Sequence, residues 1–515
     1  MNVAEAILLK GDDAAVAIFY KDFVLTYREL REKVKLLASG LLARGHTRGD
    51  RIGICSENSP FFVISYLAIM RAGLVAVPFQ TELAAETFAR IVSDAGIRDV
   101  FASKRSLGRL RSWANGSGVA LLAEEDLQTL GGDAKSCLPK IDPVRDLAAL
   151  MFTSGSTGAP KGVMINHRNI LCNTQDIVSY MGLGPGDRVM VVLPFHYCFG
   201  TSLLHSHLMA GGAVVLNNDF RLYPETVLQE MLTRECTGLA GVPSTYQILL
   251  RKSRFRELRF PKLRWFQQAG GKLPNACIAE ILRAFPQVSY FLMYGQTEAT
   301  ARLSYLPPDR LGDKLGSIGK GLPSTKLSVV RSDGSMVRPG SNETGEIVAT
   351  GDNISSGYWK DPEETSKFFG GGVLHTGDIA RVDEDGFIYI VERERDMIKS
   401  GGNRVGAKEV EDVIAELPEV VEVAVLGAPH ELLGEAIKAF VVLAPRAAIT
   451  SEDVAVYCRK RLPVFKIPEE VIVLKNMPHN SSGKILKVEL RQMLSKRASP
   501  DGSVLPASRA TVVNS

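Results

Sequence analysis

The chain has 515 residues, too many for one ordinary core, so two or more domains are expected. Hydrophobic residues make up 45% and charged residues 23%, as in a soluble globular protein, and a net charge of +4 is too small for a nucleic-acid footprint. Seven cysteines, an odd count without a CxxC pair, argue against a disulfide framework or zinc site and point to a reducing, cytoplasmic setting.

The N-terminal stretch has acids early and no basic-then-apolar order, so it does not read as a signal peptide. The longest apolar runs, such as Phe61 to Met70, are too short for an integral membrane segment. From Thr26, "TYRELREKVKLLASGLLARG" has helical periodicity and ends on Gly45 as a C-cap candidate. "DRIGICSENS" then reads as a strand, "PFFVISYLAIMRAG" as a helix with Pro60 near its start, and "LVAVPF" as a strand. This βαβ rhythm predicts a parallel sheet covered by helices. It returns at 160–300 in "DRVMVVLPF", "GAVVLNN", "TGLAGVP" and "SYFLMYG".

From about 324 the texture changes to short strands with Asp-Gly turns at 333–334 and 385–386, which predicts antiparallel hairpins. After 396 comes a small α/β unit: helix "AKEVEDVIAEL", strands "VEVAVLGAP" and "EAIKAFVVL", helix "SEDVAVYCRKRL". The charged "ERERD" between them is a candidate linker. The expected class is therefore α/β: a large N-terminal domain of parallel α/β subdomains with a small β-barrel-like subdomain (1–394), a small mobile C-terminal α+β domain (395–496), and a tail (497–515) whose Ser, Pro and Ala content predicts disorder.

The stretch "TSGSTGAPKGV", Thr153 to Val163, invites comparison with a Walker phosphate loop. It departs at two positions: Pro160 replaces a glycine, and Gly162 replaces the hydroxyl residue that would bind magnesium. Small residues, hydroxyls and Lys161 still suit a polyphosphate, and the segment is expected as a loop between the strand "LAALMF" and the helix "NHRNILCNTQDIVSYM". His205 and His207, two apart, would not share a helix face, so a metal role for the pair is not expected.

Five separated motifs, in order, resemble those of the adenylate-forming (ANL) superfamily of acyl- and aryl-CoA synthetase-like ligases, over nearly the whole chain. The first is the stretch just quoted, for which the resemblance implies that Thr153, Ser154, Gly155, Ser156, Thr157, Gly158 and Lys161 hold ATP phosphates. The second is "MYGQTEAT": by resemblance Tyr294 stacks on adenine beside Gly295, Thr297 contacts the α-phosphate, and Glu298 holds Mg²⁺. The third is "HTGDIA", whose Asp378 would accept the ribose hydroxyls. Where relatives have an adenine-contacting Gly-Ala-Ala-Pro segment, this chain has Ala269-Gly270-Gly271-Lys272. The fourth is "ERERDMIKSGGN", with Arg393 at the ribose-binding position and Arg395 at the hinge, where relatives usually have Asp or Lys. The fifth is "NSSGKILK", with Lys484 as the adenylation lysine.

The resemblance implies two half-reactions: a carboxylate attacks the α-phosphorus of ATP, releasing pyrophosphate, and a nucleophile then takes the acyl group and expels AMP. His196 follows Phe195 where amino-acid-activating relatives carry an Asp, which favours a small carboxylic acid without an α-amine, and His196 is counted with the catalytic set. Tyr197, Cys198, Ser202, Val242, Pro243 and Met293 are the candidate acid pocket. Coenzyme A is the expected acceptor. Transfer to an amino acid, as in amide-forming relatives, or to a separate carrier protein is the alternative, and a nucleotide-binding sensor without catalysis is the reading of another class.

Overall fold

A computed structural model describes residues 1–131, 138–154, 160–393, 397–445, 447–480 and 483–498. The chain divides into two compact units, one running from Met1 to Glu394 and the other from Arg395 through Asn480 and from Lys484 onward.

The first unit holds three sheets. One has six strands in the order Ala120–Leu122, Asp99–Ala102, Arg51–Cys55, Val75–Pro78, Leu147–Ser154, Pro160–Asn166, parallel except for its last pair. The second has eight: Ser304–Leu306, Ser289–Tyr294, Trp265–Gln268, Gly238–Gly241, Arg188–Val191, Ala213–Leu216, Val16–Tyr20 and Phe23–Thr26. It is parallel except at its two edge pairs. The strands Thr325–Val330, Gly345–Gly351, Leu374–Val382 and Ile388–Arg393 form the third, antiparallel, half-barrel sheet.

The N-terminal hairpin Val16–Thr26 was not legible as strands. It crosses over to extend the eight-stranded sheet, through Ile18 opposite Val214, although the six-stranded sheet follows it in sequence.

Helix ends follow local chemistry. Thr26 and Glu29 form a reciprocal capping box before Tyr27–Ala43, a feature worth about 1 kcal/mol. Arg44 is that helix's C-cap, and Gly45 follows at φ +91°, a left-handed position open to glycine. Ser59 caps Pro60–Arg71 by accepting from Phe62 N, with Pro60 in the first turn. That helix is apolar all round because it is buried between layers, with Phe62, Leu67, Leu204, Ile177 and Met293 in one core.

The second unit pairs Asn403–Gly406, Met397–Ser400, Gly434–Leu443 and Val420–His430, with Glu470–Val473 parallel to Gly434–Leu443. Helices Ala407–Ile414, Ser451–Arg461 and Lys487–Ala498 complete it. Glu411 is buried there between Lys408, 3.3 Å away, and Lys487, 3.1 Å away.

Among the described residues no helix is long and apolar enough to cross a membrane, no cluster of three metal-binding side chains occurs, and no disulfide joins the cysteines.

Candidate active site

The stretch "TSGSTGAPKGV" corrects one expectation. Leu147–Ser154 is followed by a second strand, Pro160–Asn166, antiparallel to it with Thr153 opposite Lys161 and Ser154 opposite Pro160. The segment thus begins and ends on two paired strands, where a Walker loop would run from strand to helix. Lys161 therefore stands on a strand, and the helix His167–Met181 starts only after it, capped by Asn166. Gly155, Ser156, Thr157 and Gly158 lie outside the described residues, as do the side chain of Ser154, the hinge candidate Arg395, Cys137, most of the tail and the side chain of Arg393.

The eight-stranded sheet gathers Tyr294, Gly295, Thr297, Glu298, Gly270, Gly271, Val242 and Pro243 at the carboxyl ends of adjacent strands, where open α/β sheets bind ligands, while Asp378 stands on the strand Leu374–Val382 of the antiparallel sheet. Ser289–Tyr294 leads into Gly295 and the 3₁₀ turn Thr297–Ala299. Trp265–Gln268 leads into Gly270 and Gly271, and Gly238–Gly241 into Val242 and Pro243. A Cβ on Gly295 would sit 1.9 Å from Ala301 O, so backbone packing alone requires this glycine. Gly270 has φ +84°, and a Cβ on Gly271 would come within 3.3 Å of Pro243.

The chain then makes a strained turn. Thr300 has φ +68° and ψ −52°, and Ala301 N donates to Ala299 O at 2.7 Å, a γ-turn that non-glycine residues rarely adopt. Its surroundings hold it: Thr300 Oγ1 donates to Asn353 O at 2.7 Å, and Asn353 Nδ2 donates to Arg302 O at 2.9 Å.

Three polar contacts tie the nucleotide candidates together. The Tyr294 hydroxyl donates to Asp378 Oδ2 at 2.6 Å, with both residues buried. The Tyr358 hydroxyl donates to Glu298 Oε1 at 2.9 Å. Lys161 pairs with Glu364, and its ammonium lies 5.5 Å from the Tyr358 ring centroid. Tyr358 is placed by backbone: Trp359 N donates to Gly162 O at 2.7 Å and Met164 N to Gly357 O at 2.9 Å, which docks segment 356–359 on the Lys161 strand. Burial and the Glu298 carboxylate push the Tyr358 phenol well above its ordinary value, so it stays a hydrogen-bond donor. Sequence reasoning passed over Tyr358 and Glu364; the Gly-Tyr-Trp run at 357–359 was the available signal.

The acid-pocket candidates separate into two sets. Cys198 Sγ lies 3.4 Å from Thr297 Oγ1, which joins that helix to the motif carrying Glu298. Ser202 and Met293 meet through Arg302, whose Nη2 donates to Ser202 Oγ at 3.2 Å and whose Nη1 contacts the Met293 sulfur. Tyr197 instead accepts from Gln80 Nε2 at 2.9 Å, while Val242 and Pro243 stand on the Gly271 side. His196 is buried with its ring 4.3 Å from that of Tyr197 and tilted by 49° to it, and burial pushes its pKa down to about 3. It is a neutral imidazole at physiological pH. His205, also pushed to about 3, contacts the Tyr66 hydroxyl at 3.1 Å, and His207, pushed to about 4, contacts Leu203 O at 2.9 Å. In the second unit, Lys484 N donates to Asn480 Oδ1 at 2.9 Å.

A family model described as AMP-binding enzyme matches residues 7–359, and one described as AMP-binding enzyme C-terminal domain matches residues 409–484. A feruloyl-CoA synthase from Amycolatopsis sp is 33% identical over 481 residues, covering 93% of this chain and 96% of that protein. An ATP-bound RpMatB–BxBclM chimera superposes with a TM-score of 0.86 at 29% identity, covering 97% of this chain and 100% of that one. The anthranilate CoA ligase AuaEII, in complex with anthranoyl-AMP, gives 0.88 at 25% identity over 96% and 97% of the two chains.

Proposed function

The chain belongs to the AMP-binding enzyme family, and on that premise we propose that it is an ATP-dependent, AMP-forming ligase that activates a carboxylic acid as its acyl-adenylate and passes the acyl group to coenzyme A. The observation that carries this reading is that Tyr294, Thr297 and Glu298 follow one another at the carboxyl end of Ser289–Tyr294, where Tyr294 meets Asp378 of the strand Leu374–Val382 and Thr297 meets Cys198 of the acid pocket.

Oxide is a hopeless leaving group, so the acid must first exchange it for a phosphate ester. Attack of the carboxylate on the α-phosphorus forms a C–O–P link and releases pyrophosphate. Two anions must meet, so the protein's task is alignment and charge neutralisation. Asp378 accepts from the ribose hydroxyls once Tyr294 turns from it to the base, and the Thr297 hydroxyl donates to the α-phosphate. The segment from Thr153 to Lys161 receives the leaving pyrophosphate, for which Lys161 exchanges Glu364 for phosphate oxygens. His196, neutral, orients the acid without adding charge. Lys484 bridges the acid and the α-phosphate in this half-reaction. In the second, the smaller unit turns about Arg395, and Arg393 stays with the ribose.

Mg²⁺ fits Glu298: one carboxylate oxygen takes the Tyr358 hydroxyl, and the other has no donor among the described residues, a hard oxygen open to a hard cation. When bound, the ion neutralises polyphosphate charge.

The test is pyrophosphate exchange and CoA-dependent AMP release across an acid panel. Lys484→Ala is expected to lower exchange by about 100-fold or more, while thioester formation from a supplied acyl-adenylate persists. AMP release that CoA does not stimulate with any acid would remove CoA as the acceptor.

A further inference from the structure

Arg302 is 1% exposed, among the largest fully buried side chains of the protein. A guanidinium is charged at any physiological pH, and a buried charge is normally met by an opposite one. Elsewhere in this unit that rule holds: buried Asp187 meets Arg264 at 2.8 Å, and buried Asp99 meets Arg44 at 2.5 Å. Arg302 has only neutral neighbours among the described residues. They are the Tyr180 hydroxyl at 3.3 Å, Gln267 Oε1 at 3.3 Å, Ser202 Oγ at 3.2 Å, the Met293 sulfur, and the Phe199 ring 5.0 Å below the guanidinium carbon.

Gln267 supplies an independent sign. It is fully buried, and its Nε2 has no hydrogen-bond partner among the described residues. Arginine can only donate, so the Gln267 oxygen must face it and the amide NH₂ must turn away. A permanent cation without a counter-charge and an unmet donor thus stand side by side against Ser202 and Met293, two of the acid-pocket candidates.

The position sets a length. Arg302 touches Ser202, and Cys198, one helical turn earlier on Cys198–Met209, touches Thr297 at the reacting end. A cavity lined by Cys198, Ser202, Asn173 and Thr300 runs beside this turn. The two ends are therefore about 6 Å apart along the helix.

We propose that Arg302 and Gln267 select the substrate: an acid carrying a second carboxylate, a few carbons from the one that is activated, whose far oxygens are received by the Arg302 guanidinium and the Gln267 amide. This rests on the ligase reading and narrows it. The far carboxylate neutralises the buried charge, so an acid that ends in a methyl group leaves the Arg302 charge unmatched and the Gln267 amide unmet and is rejected.

The full-length protein, with ATP, Mg²⁺ and CoA, is tested on short α,ω-dicarboxylic acids against monocarboxylic and ω-hydroxy acids of equal length, with acyl-CoA and AMP both measured. The expected result is a kcat/KM preference for the diacid on the order of 100-fold. In Arg302→Met that preference collapses toward parity while the melting temperature and ATP affinity hold. Gln267→Leu lowers it by about tenfold and decides the matter together with the wild-type ratio if Arg302→Met does not fold. A wild-type enzyme that takes monoacids or ω-hydroxy acids as well as diacids overturns the inference, as does a preference that survives Arg302→Met. AMP and thioester formation with monoacids alone overturns it while leaving the ligase reading intact. No AMP with any acid overturns both.

Discussion

The two ends of the cleft in the first unit handle charge in opposite ways. At the nucleotide end each charged side chain already has a partner it can exchange: Lys161 has Glu364, Glu298 has Tyr358, and Asp378 has Tyr294. At the acid end His196 and His205 are held neutral by burial, and Arg302 is a fixed charge whose neighbours among the described residues are neutral. An end with exchangeable partners can accept and release a polyanion in every cycle without leaving a bare charge behind. An end with one unmatched cation is tuned to whatever matches it, which is selection rather than turnover.

Three changes test that contrast, beginning with the largest effect. Glu298→Gln keeps the shape and removes the charge. Adenylation is expected to fall by about 10²–10³-fold, with the melting temperature held, because the partner at this end is exchangeable and not structural. A variant as active as wild type would show that Glu298 is only a partner for Tyr358. Tyr358→Phe deletes the hydroxyl that fixes Glu298, and turnover is expected to fall by about tenfold, the size of one hydrogen bond to a charged group. The half-saturating Mg²⁺ concentration should rise with it, and chelator titration would show an unchanged curve if Tyr358 merely packs.

The smallest effect on turnover at neutral pH belongs to His205, which with His196 and His207 acts on stability. His196 and His205 are depressed to about 3 and His207 to about 4, against an unfolded value of 6.5. Between those values the unfolded chain binds protons that the native one refuses. Their contribution is therefore complete above pH 6.5 and lost as pH falls toward 3–4. Each is worth about 1.4 kcal/mol per pH unit in that window. Denaturant melts at pH 7 and pH 5 should show the loss, and His205→Phe should flatten the slope by one histidine's share. An unchanged slope would mean that His205 accepts protons in the native state.

The nucleotide end was far more legible than the acid end, for a physical reason. Tyr294, Thr297 and Glu298 lie in five consecutive residues after an apolar run, so the strand, the turn and the placement at its carboxyl end were all readable locally. The acid pocket is assembled from distant segments, and of its six candidates Ser202 and Met293 converge on Arg302 while Tyr197 turns to Gln80.

The sequence by itself determined the alternation of helices and strands, the change to hairpins after residue 324, the motif order and thereby the family. These depend on hydrophobic period, turn residues and short spacings, which neighbouring residues carry among themselves. Only the tertiary structure decided that "TSGSTGAPKGV" begins and ends on paired strands, that the first hairpin joins the far sheet, that Lys161 meets Glu364 across 203 residues, and that Arg302 reaches Ser202 across 100 with no acid beside it among the described residues. An arginine's meaning depends on the charge that faces it, and no local pattern states what packing will bring there.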